Sequence, residues 1–245
     1  MKTIFHRLSL LSLIILAGSC SKNNSSQNDG PSTGVAGSMA RFAITNDHLY
    51  TVSDHSISAY NLSDATAPAK RVTKSLGFGI ETIYPKGNTL FIGTQTGMKI
   101  LDVTQPENPN VLSNFVHWRS CDPVVANDAY AYVTLRTGTT CFGGVNELQV
   151  LDIANLKQPK MVKIYPMTKP HGLALDGKNL FICDAGIKHY DATDPANLIL
   201  KRTITSGAED LIANDGILMA IGPDGLTQYS YQTGELVLLS HIPTL

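Results

Sequence analysis

The sequence predicts an all-β fold: a five-bladed β-propeller of four-stranded antiparallel blades. Three observations lead there. A strand pattern repeats at a spacing near forty residues, a turn signal precedes each copy, and no segment sustains a helical period over three turns.

The first landmark of each repeat is a short apolar run. These runs are Leu49-Tyr50-Thr51-Val52, Leu90-Phe91-Ile92-Gly93, Ala131-Tyr132-Val133-Thr134, Leu180-Phe181-Ile182-Cys183 and Leu218-Met219-Ala220-Ile221. Their leading residues lie 41, 41, 49 and 38 apart. Asn, Asp and Gly residues that reverse a chain stand before each run, as in Asn46-Asp47, Lys86-Gly87-Asn88 and Asn214-Asp215-Gly216. A second landmark follows: Tyr60-Asn61, Leu101-Asp102, Leu151-Asp152, Tyr190-Asp191 and Tyr229-Ser230. A loop comes next, with Pro68, Pro106, Pro109, Pro159 and Pro195 in the first four units.

Each unit therefore reads as four strands. In the second unit they fall at Gly79–Tyr84, Thr89–Thr94, Met98–Asp102 and Asn110–Val116. Four strands in about 40–45 residues is the signature of a propeller blade. A two-sheet sandwich also has short strands with frequent turns, but it does not explain the repeat. Each blade draws its strands from one contiguous unit, so ring closure is expected to rest on packing between blades.

The run from Met98 to Pro109 and the run Leu148-Gln149-Val150-Leu151-Asp152-Ile153 resemble the LVIVD repeat. That repeat is an apolar strand ending in Asp, followed by a proline loop. Ile187 to Pro195 matches again, Ile57 to Pro68 is a degenerate copy, and Leu226 to Glu235 has lost both Asp and Pro. The resemblance covers residues 39–245. It implies an exported bacterial propeller and no single reaction.

The first nineteen residues carry an address. Lys2 and Arg7 precede the apolar stretch Leu8 to Ala17, which suits a signal peptide and is too short to span a bilayer. Ala17-Gly18-Ser19-Cys20 resembles the lipobox of bacterial lipoproteins, which implies lipidation at Cys20 and a place in the bacterial cell envelope, periplasmic or surface-exposed. The same small residues also suit ordinary signal cleavage, which would leave Cys20 free. Residues 20–38, rich in Ser, Asn and Gly, read as a flexible tether ahead of a propeller over 39–245. Membrane contact is expected through the anchor alone.

Composition narrows the partners. The chain has 245 residues, with 19 basic and 20 acidic side chains and a net charge of −1, which argues against a nucleic-acid binder. Charged residues are 16 %, against about 25 % in typical domains. Strands buried on both faces explain the deficit.

Cys121 and Cys141 are expected to meet. Cys121 opens the first strand of the third unit, and Cys141 sits in that unit's long insertion, Arg136–Asn146, on the same side of a propeller disk. A bridge between them would pin the loop. Cys183 lies within a strand landmark and reads as a buried apolar residue.

The candidate site comes from counting nine residues back from each first landmark. The positions are Ala40, Glu81, Asp122, His171 and Glu209, with Asp210 adjacent to the last. In a propeller these begin the innermost strands and ring one channel mouth. His55, His117, Trp118, Arg119, Arg136, Lys169 and Asp184 lie in nearby loops. Trp118 beside Arg119 would suit a partner anchor. The ligand-binding set is therefore Glu81, Asp122, His171, Glu209, Asp210, Trp118 and Arg119.

The functional expectation is an envelope propeller that binds or scaffolds a protein or glycan as a monomer, with an enzymatic role left open. Polar residues at such positions also serve simply to bond backbone and channel water. Two further readings use the ring of carboxylates. One is a glycoside-type hydrolase built on Glu81, Asp122 and Glu209. The other is a site for a divalent metal; no other cofactor is expected. A funnel beneath the ring would favour small-molecule chemistry, and a shallow face would favour a macromolecule.

Overall fold

A computed structural model describes residues 37–116, 123–138 and 145–244. Among them there is no helix, and so none long and apolar enough to cross a membrane. Twenty strands form five four-stranded antiparallel sheets, each with its strands in chain order. Blade 1 holds β1 (Phe42–Thr45), β2 (His48–Val52), β3 (Ser56–Asn61) and β4 (Ala69–Ser75). Blade 2 holds β5 (Ile80–Lys86), β6 (Thr89–Thr94), β7 (Gly97–Asp102) and β8 (Asn110–Val116). Blade 3 holds β9 (Val124–Ala126), β10 (Tyr130–Leu135), β11 (Glu147–Asp152) and β12 (Lys160–Pro166). Blade 4 holds β13 (Pro170–Asp176), β14 (Asn179–Asp184), β15 (Ile187–Asp191) and β16 (Ile199–Ile204). Blade 5 holds β17 (Asp210–Asn214), β18 (Ile217–Gly222), β19 (Gly225–Ser230) and β20 (Val237–Pro243). The fold is the expected five-bladed β-propeller. First strands of successive blades touch, β1 with β5, β5 with β9, β9 with β13 and β13 with β17, so they are innermost.

Local chemistry sets the blade outline. Asn46 and Asp47 both take positive φ, 50° and 55°, as do Asp215 and Gly216 at 49° and 80°. Hairpin turns of type I′ require that, and Asn, Asp and Gly tolerate it. The Asp that ends the third strand in blades 2, 3 and 4 is a turn cap. Asp102 accepts bonds from the Thr104 N–H at 2.7 Å and hydroxyl at 2.6 Å, and Asp191 does the same with Thr193 at 3.0 and 2.6 Å. Both carboxyls are held below their usual pKa, first by the Thr hydroxyl and then by the backbone N–H. The proline loops that follow give carbonyls to neighbouring blades: Lys74 Nζ donates to Pro109 O at 2.6 Å and Tyr165 OH to Pro195 O at 2.9 Å. The repeated Asp and Pro are thus structural.

The core is four clusters, one in each gap from blade 1|2 to blade 4|5. Tyr50, Phe91, Tyr132 and Phe181 are the fully buried aromatic residues on the second strands. Cys183 is a free, buried thiol, as expected, with its pKa pushed up by burial. The Cys121–Cys141 pairing lies outside the described residues, as does Cys20. No described apolar cluster spans blades 5 and 1. Packing between blades was expected there; instead the segment ahead of β1 makes a polar tie to blade 5 at the ring centre, described below, and the two sheet faces stay apart.

His189 sits inside blade 4. It stacks on Phe181 with 4.5 Å between centroids, and its Nε2 lies 2.9 Å from Asn179 Oδ1. Its Nδ1 is buried without a partner. Burial lowers the pKa of this imidazole below its usual value, and nearby Lys201 and Arg202 add to that against Asp191. The unfolded chain then binds a proton near pH 6.5 that the fold refuses. The contribution to stability is full above that pH and is lost as pH falls toward the folded pKa. The melting temperature is expected to drop between about pH 7 and about pH 5, and His189→Gln to flatten that slope. An unchanged slope in calorimetry would refute the assignment.

Candidate functional site

Blade geometry brings the described candidates to one end of the ring. Glu81 sits in a bulge of β5 between Ile80 and Thr82, and His171 in a bulge of β13 between Pro170 and Leu173. A bulge breaks the ladder and re-aims a side chain, which frees both residues from the flat pairing of their strands. Both are half-buried, and Glu209 is exposed. Asp122, Trp118 and Arg119 lie outside the described residues.

His171 is the best-defined member. Arg136 Nη1 lies 2.6 Å from its ring nitrogens, and Thr134 Oγ1 donates to its carbonyl at 2.7 Å. Both partners come from the end of β10, so blade 3 holds the histidine of blade 4. Burial lowers the His171 pKa, the Arg136 charge lowers it further, and Glu209 works against both. The imidazole is therefore neutral at neutral pH and accepts from Arg136. Among the described residues, this mouth carries Arg136 on His171 and the carboxylates of Glu81 and Glu209.

Asp210 has a different task. Its carboxylate faces Gly37 to Met39: Ser38 Oγ donates to Oδ1 at 2.9 Å and Met39 N–H to Oδ2 at 3.3 Å. Ser38 Oγ also accepts from Leu173 N–H at 2.8 Å, and Ala40 O accepts from Ile83 N–H at 2.9 Å. Ser38 is fully buried. One turn of chain therefore links blades 5, 4 and 2 at the ring centre. Gly172 N–H donates to Glu209 O at 2.8 Å and completes the tie. Burial raises the Asp210 pKa above its usual value despite these bonds.

Asp184, a candidate by proximity, is also structural. Its buried carboxylate accepts from Thr168 N–H at 2.9 Å, Lys169 N–H at 2.6 Å and Lys188 Nζ at 2.6 Å. Among the described residues, no three His, Cys, Asp or Glu side chains gather into a set that could hold a metal ion.

The opposite mouth went unread in the sequence, where its residues served only as turn signals. The inner ends of blades 2 to 5 enclose a cavity of about 400 Å³ there, lined by Tyr84, Lys86, Asn127, Asp128, Asp176 and Asn214. Its polar groups largely answer one another. Lys86 Nζ stands 3.2 Å from Asp128, Tyr231 OH donates to Asp176, and Asn127 Oδ1 accepts from Ala129 and Tyr130 N–H groups. Burial, with Asp176 nearby, pushes the Tyr84 hydroxyl up to about 12.

No family model and no curated protein matches the chain. Solved propellers do match it in shape. A functionally unknown protein from Desulfotomaculum acetoxidans aligns with a TM-score of 0.64 and 13 % identity, covering 82 % of this chain and 67 % of its own. The periplasmic gluconolactonase PpgL of Pseudomonas aeruginosa gives 0.61 and 12 %, over 81 % and 68 %. The computationally designed Ika8 protein gives 0.59 and 13 %, over 80 % and 59 %. The chain spans about three-fifths to two-thirds of the length of these structures. Likeness at this identity establishes the propeller fold and nothing of the chemistry.

Proposed function

We propose that this chain is a lipid-anchored propeller of the bacterial envelope that binds a macromolecular partner, protein or glycan, across the mouth bearing Glu81, His171 and Glu209. One observation carries the reading. Gly37 to Ala40 fill the ring centre at the level of Ile83 and Leu173, two residues below Glu81 and His171. A small substrate needs a concave, water-excluding site, and the filled centre leaves a shallow face. The exposed Glu209 and the Arg136–His171 pair then act as rim contacts of opposite charge. A propeller fold supports such a role generally. The hydrolase reading on Glu81, Asp122 and Glu209 has less support, since it needs a funnel beneath the carboxylates and Gly37 to Ala40 fill that space.

Two measurements test this. Cys20→Ser is expected to move the chain from the membrane to the soluble fraction; continued membrane retention would remove the anchor. A photo-crosslinking residue at Glu209 is expected to capture a discrete adduct in native envelopes. The same residue at Lys163, on the outer strand of blade 3, is expected to capture none. Equal labelling at both positions would defeat the proposed face.

A further inference from the structure

The four junctions from blade 1|2 to blade 4|5 are one contact repeated. Along the second strand, side chains alternate between the two faces of the blade. The first landmark residue faces the preceding blade: Leu90, Ala131, Leu180 and Leu218 fall in the clusters shared with blades 1, 2, 3 and 4. The next residue faces the following blade: Tyr50, Phe91, Tyr132 and Phe181 fall in the clusters shared with blades 2, 3, 4 and 5. By the same rule Leu49 faces backward from blade 1 and Met219 forward from blade 5. Neither belongs to a cluster.

These two faces are apolar and open. On blade 1, Phe42 is 60 % exposed and Ile44 44 %, whereas Ile83, at the position of Phe42 in blade 2, is fully buried. On blade 5, Ile221 is 54 % exposed, whereas Cys183, its counterpart in blade 4, is 2 % exposed. Register places Ile212, Ile217, Met219, Ile221, Leu226 and Ile242 together on the forward face of blade 5. The one charged side chain of that face in the register is Asp210, which Ser38 holds. Single exposed apolar residues are ordinary, but a contiguous patch marks an interaction surface.

We propose that a second copy of this chain occupies these faces. Blade 5 of one copy receives blade 1 of the next, in the contact that successive blades already make within the chain. The argument is continuity: the two open faces are the unmatched halves of an interface built four times over. A second copy presents the mate of each. The charged side chains in the register of the two faces, Asp210 on blade 5 and Lys70 on blade 1, are of opposite sign, so the contact brings no like-charge repulsion. Such a contact is heterologous, so two copies do not exhaust it, and assembly grows with concentration. The surface is separate from the Glu81–His171–Glu209 mouth, so either reading can fail alone.

Light scattering after size exclusion, on the full chain over a wide range of concentration, tests it. The mass is expected to rise beyond that of one chain. Met219→Lys blocks the blade 5 face and Phe42→Lys the blade 1 face, and each variant alone is expected to stay monomeric. Mixed in equal amounts they are expected to form a 1:1 dimer, because each retains the face the other has lost. A mass of one chain at every concentration overturns the proposal, as does assembly that survives either substitution. Melting curves matching the parent separate a lost contact from a lost fold. If Met219→Lys unfolds, the exposed Ile221→Lys carries the same test.

Discussion

Phe181→Ala is expected to lower stability by about 3–5 kcal/mol, the range for removing a buried aromatic ring. In a chain of this size that corresponds to roughly 6–20 °C in melting temperature. Phe181 is fully buried, stacks on His189, and stands 4.9 Å from the Tyr231 ring across the gap to blade 5. It is the aromatic knob that joins blades 4 and 5. The cavity would open between blades, so blade 5 is expected to lose protection first. Hydrogen exchange would show faster exchange in β17 to β19 than in β5 to β7. Uniform loss across all blades would refute the placement of that junction as a separable unit.

Gly172→Ala is the second large effect. A Cβ there would stand 2.2 Å from Asp210 Oδ1, 2.7 Å from Asp210 Cα and 2.8 Å from Glu209 O. Two of these three are backbone atoms and cannot swing away. Overpacking of this kind costs about 1–3 kcal/mol, at times more, and here the upper end is expected because the blade 4–blade 5 tie breaks with it. The control is Gly207→Ala, where the nearest atom is the Asp224 carboxylate at 3.3 Å, the end of a movable side chain. Thermal melts of the two variants should differ by several degrees. Equal melts would mean that the centre of the ring yields more easily than its bonds suggest.

Much of the architecture was legible because a strand period of two and a turn at each end are local properties. In blade 2 the expected Thr89–Thr94 and Asn110–Val116 coincide with β6 and β8, and the other two strands shift by one or two residues at their ends. The placement of two candidates was legible too, since counting back from each landmark put Glu81 and His171 at one end of the innermost strands. Its chemistry was not. The bulges holding Glu81 and His171 depend on pairing with β6 and β14, and no residue type announces them. Arg136 was named only for its loop, and its contact with His171 spans 35 residues. Ser38 was assigned to the tether because its neighbours are small and polar. Its burial follows from a carboxylate 172 residues away.

That placement of Ser38 bears on how the proposed anchor would transmit force. A tether fixed to a rim strand would load that one edge strand first. Here the chain leading to the anchor leaves from Gly37, inside the ring, next to bonds that reach Asp210, Leu173 and Ile83 at once. A tug along the tether would be shared among three blades as shear. Tension on such a tether would therefore be felt at the hub of the disk.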